Sequence, residues 1–303
     1  MQMKYVPNWG STSFRRRLMT SRRYTISEMS ETSNISKKAL RFYDKLGLIS
    51  PRLRGSNNYR YYTHEDVLSV PPLKYYKQMG FRLEEIRAAF DADSTASLNA
   101  LCSMFVSKMQ DLRQEEEVLR LRAESIHDWL ELLHEAEMLL DNDTRQVSVK
   151  YISPQHLLCH DEVFLLDIKS TIINMEFTNF VESLGNNISG PVIVHYSSVA
   201  DRLANVQQPI QVLQRPMRPC KPEHLRVFGG TLMASCYHIG PHETINETYR
   251  NLQTWCTANN FVYAPDSFER YVTDYWTTNN KSLFVTEVLV QVHRQDSGFN
   301  PLP

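Results

Sequence analysis

The chain has 303 residues, enough for two cores, and an apolar content of 42% with no run near the roughly 20 apolar residues that cross a bilayer. Its net charge of −1 is unevenly divided: residues 1–90 hold 17 Lys and Arg against 7 Asp and Glu, and the remainder 16 against 27. A basic front on an acidic body points to an anionic partner for the front alone. The five cysteines are scattered with no CxxC pair, which argues against a disulfide framework or zinc ribbon and fits a reducing cytoplasm.

Residues 1–23 carry six basic and no acidic side chains and lack the apolar stretch of a signal peptide. They read as a disordered basic arm, or as residues upstream of a start at Met3 or Met19. An arm touching phosphates would add salt-dependent affinity.

From Tyr24 to Val67 the apolar residues take helical spacing, with Ile26, Met29, Ile35, Leu40, Leu46 and Leu48 as core candidates. Ser27 is the expected cap of a first helix. Thr32-Ser33-Asn34 is turn chemistry, and Ser36 caps a second helix running to about Leu46 and stopped at Gly47. Two short helices joined by a tight polar turn make a helix-turn-helix, whose second helix enters the major groove. That helix carries Lys37, Lys38, Arg41 and Tyr43 as donors to phosphates and base edges. Leu48-Ile49 and Tyr59–Tyr62 flank the turn Arg54–Asn58 and read as a hairpin wing. Beyond it, Glu65 and Asp66 suit the first turn of a helix, and Met79-Gly80-Phe81 turns the chain into a further short helix at Leu83–Ile86.

The segments YTISEM, ISKKALRFYDKLGLI, NYRYYTHEDV and QMGFRLEEI, in that order and spacing, resemble the winged helix of the MerR family of bacterial transcription regulators. The resemblance implies a DNA-binding domain over 24–92, with Tyr24, Ser36, Lys37, Lys38, Arg41, Phe42, Tyr43, Arg54, Tyr59, Arg60, Tyr61 and Lys77 at the DNA. Pro71-Pro72 departs from the family pattern, which runs a continuous helix there. Interior proline removes a backbone hydrogen bond at a cost of about 3 kcal/mol, so a kink or break is expected near Val70.

Leu98, Phe105, Leu112, Leu119, Ile126, Leu133 and Leu140 recur every seventh residue in a stretch without Pro or Gly. Such a repeat favours a two-helix coiled coil. Pairing in the MerR family implies a homodimer through residues 98–140, the dimerisation helix being set at 97–140. Two heads on a twofold axis suit two operator half-sites.

Asp141–Thr144 is a polar break. Beyond it, β-like runs are expected at Val147–Ile152, Phe164–Ile173, Val192–Ser197, Thr231–His238 and Leu283–Val292. Helices are expected at Phe177–Leu184 and Ile245–Ala258, the latter with Ile245, Tyr249, Leu252 and Cys256 as one stripe. Phe284, Thr286, Val288, Val290 and Val292 share one face of the last run. Pro209, Pro216, Pro219 and Pro222 mark an irregular connector. The fold class is a winged helix-turn-helix, a long coiled-coil helix, and an α+β antiparallel-sheet ligand-binding domain over 145–295, followed by a tail at 296–303.

YHIGPHETINETYRNLQTW, PDSFERY and FVTEVLVQV resemble the GyrI-like effector-binding domain, most clearly in the last seventy residues. The resemblance implies a cleft for a bulky cationic aromatic compound, with Glu269 matching the carboxylate and Phe284 standing where a relative has a pocket Tyr. A carboxylate among Tyr237, Tyr271, Tyr275, Trp276 and Phe284 could counter a delocalised cation, each ring face adding about 0.5–2 kcal/mol when desolvated. The structural alternative is a solvated Glu269 paired with Arg270 or a nearby Lys, with the aromatics as plain core. Glu287 falls on the other face. His238, His242 and Glu243 fit a turn before a helix better than a metal cluster, and neither a metal nor a cofactor is expected.

The expected function is a cytoplasmic, nucleoid-associated regulator, an activator in the first instance. It would bind double-stranded promoter DNA with RNA polymerase holoenzyme and distort the DNA when a small lipophilic cation binds. No membrane partner is expected. Two alternatives stand beside it. One is a metal or redox sensor using Cys102, which lacks the usual loop cysteines. The other is a hydrolase using Glu269 as acid or base, for which no nucleophile–base pair is evident.

Overall fold

The computed structural model describes residues 22–51, 53–54, 59–91 and 98–295. Most of the basic arm, the wing turn 55–58 and the tail 296–303 lie outside the described residues. Two compact units part between Glu116 and Glu117.

In the first unit, β1 (Tyr24–Thr25) leads into α1 (Ile26–Ser33) and α2 (Lys37–Lys45). The cap of α1 is Thr25 rather than Ser27: its hydroxyl accepts from Glu28 N–H while the Glu28 carboxylate reaches back to Thr25 N–H. Ser36 caps α2 as expected, accepting from Ala39 N–H at 3.1 Å, and Gly47 beyond its end has φ of +74°. Leu48 and Ile49 belong to the core and not to the wing; Ile49 is buried, and the wing strands are β2 (Leu53–Arg54) and β3 (Arg60–Tyr62), with β3 also paired to β1. Of the expected core, Met29 and Leu40 are fully buried, Ile26, Ile35 and Leu48 pack against it, and Leu46 is half-buried. After α3 (His64–Leu68) the chain breaks at Ser69 and resumes as α4 (Val70–Gln78), with the prolines in its first turn where no backbone donor is lost. Helix α5 (Leu83–Asp91) closes this core.

Helix α6 (Leu98–Asp141) has 44 residues and a length of about 66 Å. Phe105 packs in the first unit, whereas Leu132, Ala136 and Leu139 are buried in the second against Val272 and Val285. Along the seven-residue repeat, Leu98, Leu112, Leu119, Ile126 and Leu133 stay exposed.

The second unit is a nine-stranded antiparallel sheet in the order β4-β9-β12-β11-β6-β7-β5-β8, with β10 paired to β12. The strands are β4 (Ser148–Ile152), β5 (Gln155–Phe164), β6 (Ile193–Tyr196), β7 (Gln208–Gln214), β8 (Leu225–Phe228), β9 (Thr231–Ile239), β10 (Phe261–Tyr263), β11 (Ser267–Thr273) and β12 (Val285–Arg294). One face is covered by α7 (Ile168–Ile172), α8 (Met175–Ser183), α9 (Val199–Leu203) and α10 (Ile245–Ala258), the expected stripe of α10 being wholly buried. The expected strand Phe164–Ile173 is corrected: the strand ends at Phe164, and the Asp167 carboxylate accepts from Lys169 and Ser170 N–H to start α7. Pro209 is likewise a strand residue, so the irregular connector begins after Gln214.

Candidate DNA interface and ligand site

Helix α2 sorts its residues by period. Leu40 and Tyr43 turn inward, leaving Lys37, Lys38, Arg41 and Phe42 exposed on one side. Tyr43 is therefore not free at the surface as a base-edge donor; it is only 6% exposed, and its hydroxyl accepts from Lys77 Nζ at 3.3 Å. Tyr24 is also buried, with the Arg22 guanidinium 4.9 Å from its ring centroid. Arg60 donates from Nε to Asp44 Oδ2 at 2.8 Å, fastening the wing strand to the end of α2. Tyr59 is exposed, Tyr61 is half-buried, and the Arg54 side chain lies outside the described residues. Lys74, which the sequence did not single out, donates to the Ser33 carbonyl and closes the C-terminus of α1.

In the second unit, Glu269 on β11 is completely buried. It does not pair with Arg270 or a lysine. Its cation is Arg202 of α9, itself buried, which donates from Nε to Oε1 at 2.8 Å. Tyr249 donates to Oε1 at 2.9 Å and Tyr271 to Oε2 at 2.7 Å. The guanidinium stands 5.0 Å from the Tyr196 ring centroid and 5.6 Å from that of Phe164. Burial opposes the Arg202 charge, but Glu269 outweighs it and holds the guanidinium above its ordinary pKa. Burial and Glu269 together lift the Tyr249 and Tyr271 hydroxyls well above theirs. The place expected for a delocalised ligand cation is filled by a side chain of the chain itself.

The aromatic residues expected around Glu269 are dispersed. Tyr271 touches it. Phe284 is fully buried and stacks on His242 at 5.0 Å, with Tyr275 edge-on at 4.8 Å. His242 opens the turn before α10, and burial lowers it to about 4. Tyr237 faces the other side of the sheet, where its hydroxyl donates to Glu135 of α6 at 3.0 Å. On that side Arg270 pairs with Glu135 at 2.6 Å and with Glu287 at 3.2 Å, and Lys150 also pairs with Glu287. Burial would raise the Glu135 carboxyl, but Arg270 overrides it and holds the group below the usual range. Strand β11 thus alternates: Glu269 toward Arg202, Arg270 toward the long helix.

Trp276 is 47% exposed, and its indole is held by Nε1–H to the Ile172 carbonyl at 3.2 Å. With Trp129 of α6, Tyr271, Val192 and Asp274 it lines a cavity of about 220 Å³. A second, charged cleft of about 180 Å³ includes Asp128, Glu135, Arg215 and Arg270. Neither is lined by Glu269. Among the described residues no helix is long and apolar enough to cross a membrane, and no group of three His, Cys, Asp or Glu could hold a metal ion.

Residues 24–93 match the MerR HTH family regulatory protein model, and residues 177–293 match the GyrI-like small molecule binding domain model. The Multidrug-efflux transporter 2 regulator of Bacillus subtilis (strain 168) is 21% identical over 284 residues, 89% of this chain and 96% of that protein. The HTH-type transcriptional regulator SkgA of Caulobacter vibrioides is 38% identical over 80 residues, so the match spans 25% of this chain and only 31% of that relative. Among solved structures, EcmrR in its DNA complex is 17% identical with a TM-score of 0.44, covering 90% of this chain and 100% of that one.

Proposed function

For a chain that joins a MerR-type helix-turn-helix domain to a GyrI-like small molecule binding domain, we propose a ligand-responsive transcriptional activator working as a homodimer on promoter DNA. The observation that carries this reading is the exposed apolar repeat of α6, on a helix that also contributes Phe105 to one core and Leu132 to the other. A stripe of leucines left in water on a helix of this length calls for a second copy. Two copies would present Lys37, Lys38, Arg41 and Phe42 of each head to paired half-sites, with phosphate contacts setting affinity and Arg41 reaching base edges.

Ligand bound in the rear domain would act on α6 through Arg270, Tyr237 and Glu135, and the heads would bend and untwist the operator so that RNA polymerase engages the promoter. Deforming a short site costs on the order of 1–6 kcal/mol, within reach of differential ligand affinity. A nearly complete switch needs about a 10⁴-fold preference for the active state. The place of action is the cytoplasm.

The test joins two measurements on the full chain. Arg41→Ala should weaken operator binding at least tenfold, and an unchanged footprint rejects the recognition-helix assignment. Leu119→Glu should give monomers in sedimentation and abolish operator binding; a stable dimer in that variant removes the α6 seam.

A further inference from the structure

Two buried carboxylates of the second unit, five positions apart, differ in how they are paired. Glu269 is saturated by Arg202, Tyr249 and Tyr271. Asp274 is 3% exposed and accepts the Trp276 backbone N–H at 2.7 Å, but no cation among the described residues pairs with it. Burial, opposed only by that one backbone hydrogen bond, pushes its carboxyl up to about 6. Asp274 lines the cavity of about 220 Å³, which carries an indole on each of two elements, Trp129 from α6 and Trp276 from the loop after β11, with Tyr271 beside them. Ile188, Pro191 and Val192 give the rest of the wall its apolar part, and Ser189 and Gln214 add polar side chains to it.

We propose that this cavity, and not the Glu269 site, binds the effector, a small aromatic amine carrying one protonated nitrogen. The chemistry follows from the lining. An ammonium would supply the charge that Asp274 lacks, and ring faces of Trp129, Trp276 and Tyr271 suit both a cation and an aromatic body. Size follows from the volume: an apolar cavity of about 150 Å³ admits benzene, whereas drug-sized ligands occupy about 300–1,000 Å³. One ring with a short amine arm fits; a multi-ring dye does not. Because Trp129 belongs to α6, such a ligand touches the long helix directly, in addition to the tie that Arg270 and Tyr237 make to Glu135. This inference rests on the reading of the second unit as an effector-binding domain, and its test separates the two.

The full-length protein is titrated with benzylamine and with benzyl alcohol at pH 7.5, following tryptophan fluorescence, calorimetry and transcription from its promoter. Benzylamine should bind at least tenfold more tightly than the alcohol. Asp274→Asn, which keeps an acceptor for the Trp276 N–H, should erase that difference, while Glu269→Gln combined with Arg202→Met, which leaves no buried charge alone, should preserve it. Ile188→Phe, on a half-buried loop position, should block binding while leaving the thermal transition in place, which guards against reading misfolding as lost affinity. Equal affinities for amine and alcohol in the wild type, or an amine preference that survives in Asp274→Asn, overturns the proposal. An amine that binds as described without altering transcription supports the site and counts against the regulatory reading alone.

Discussion

The two sides of strand β11 put charge to different uses. On one side Glu269 and Arg202 are both withdrawn from water and enclosed by Tyr249, Tyr271 and the rings of Tyr196 and Phe164. On the other, Arg270 reaches Glu135, a residue 135 positions earlier on α6, and both remain partly open to solvent. A closed pair is a fixed element of the fold, because either charge left alone is strongly disfavoured. An open pair can break and be rehydrated at modest cost, which makes the Arg270 side the better place for motion between sheet and helix.

The largest expected effect comes from breaking the closed side. Arg202→Met leaves Glu269 buried and uncompensated and should destabilise the second unit by about 3–5 kcal/mol, measured by denaturant unfolding. Pairing it with Glu269→Gln should restore much of that loss. A single Arg202→Met within 1 kcal/mol of wild type would mean that Glu269 finds water or another partner, and the contrast between the sides would fail.

On the open side, Arg270→Met should cost less, about 2–3 kcal/mol, since Glu135 can rehydrate and Lys150 remains on Glu287. Its distinguishing signature is faster hydrogen exchange in α6 from about Leu132 onward. Protection unchanged there would show that α6 is held by the Leu132, Ala136 and Leu139 packing alone.

Titration sharpens the comparison further. His242, lowered to about 4, contributes stability that is full above its ordinary value and disappears as the pH falls through about 4. Asp274, raised to about 6, acts with the opposite sign: its contribution is present at low pH and is lost as the pH rises through about 6. Between pH 6 and 4 the two oppose each other, so the wild-type stability curve should be shallow. Asp274→Asn should add about 2 kcal/mol at pH 7 and steepen the acid limb, as followed by thermal melts against pH. A parallel, unshifted curve in the variant rejects the charge-burial account of Asp274.

The smallest effect belongs to Tyr237→Phe, which deletes one hydroxyl donor to Glu135 and should cost about 1 kcal/mol. A loss as large as that of Arg270→Met would make the tyrosine, rather than the ion pair, the main tie to α6.

Features that depend on near neighbours were readable in the residues. Ser36 caps α2, Gly47 ends it, the prolines break the helix at Ser69, and the α10 stripe is buried. Each rests on contacts within a few positions, where backbone geometry dictates the outcome. Errors arose where two local readings competed. Thr25 and Ser27 are both good caps, but only Thr25 has an acidic residue three positions on that is free to complete the box. Apolar residues 164–173 suit strand or helix, and Asp167 decides between them. Strands β5, β7, β8, β10 and β11 lie outside the runs marked by pattern because their partners, and not their own patterns, make them strands.

Within the ligand domain the sequence determined that a carboxylate at Glu269 and several rings would be brought into one fold, and that α6 would carry an apolar repeat. It could not determine which cation answers that carboxylate. Arg202 lies 67 positions away on a five-residue helix with no periodic signature, and only the closure of the sheet and its helices brings it within 2.8 Å. Nor could it separate Glu269 from Asp274, which differ by five positions and one methylene. Desolvation and pairing are properties of the assembled surroundings, so the tertiary structure alone decided that one carboxylate is saturated and the other is not.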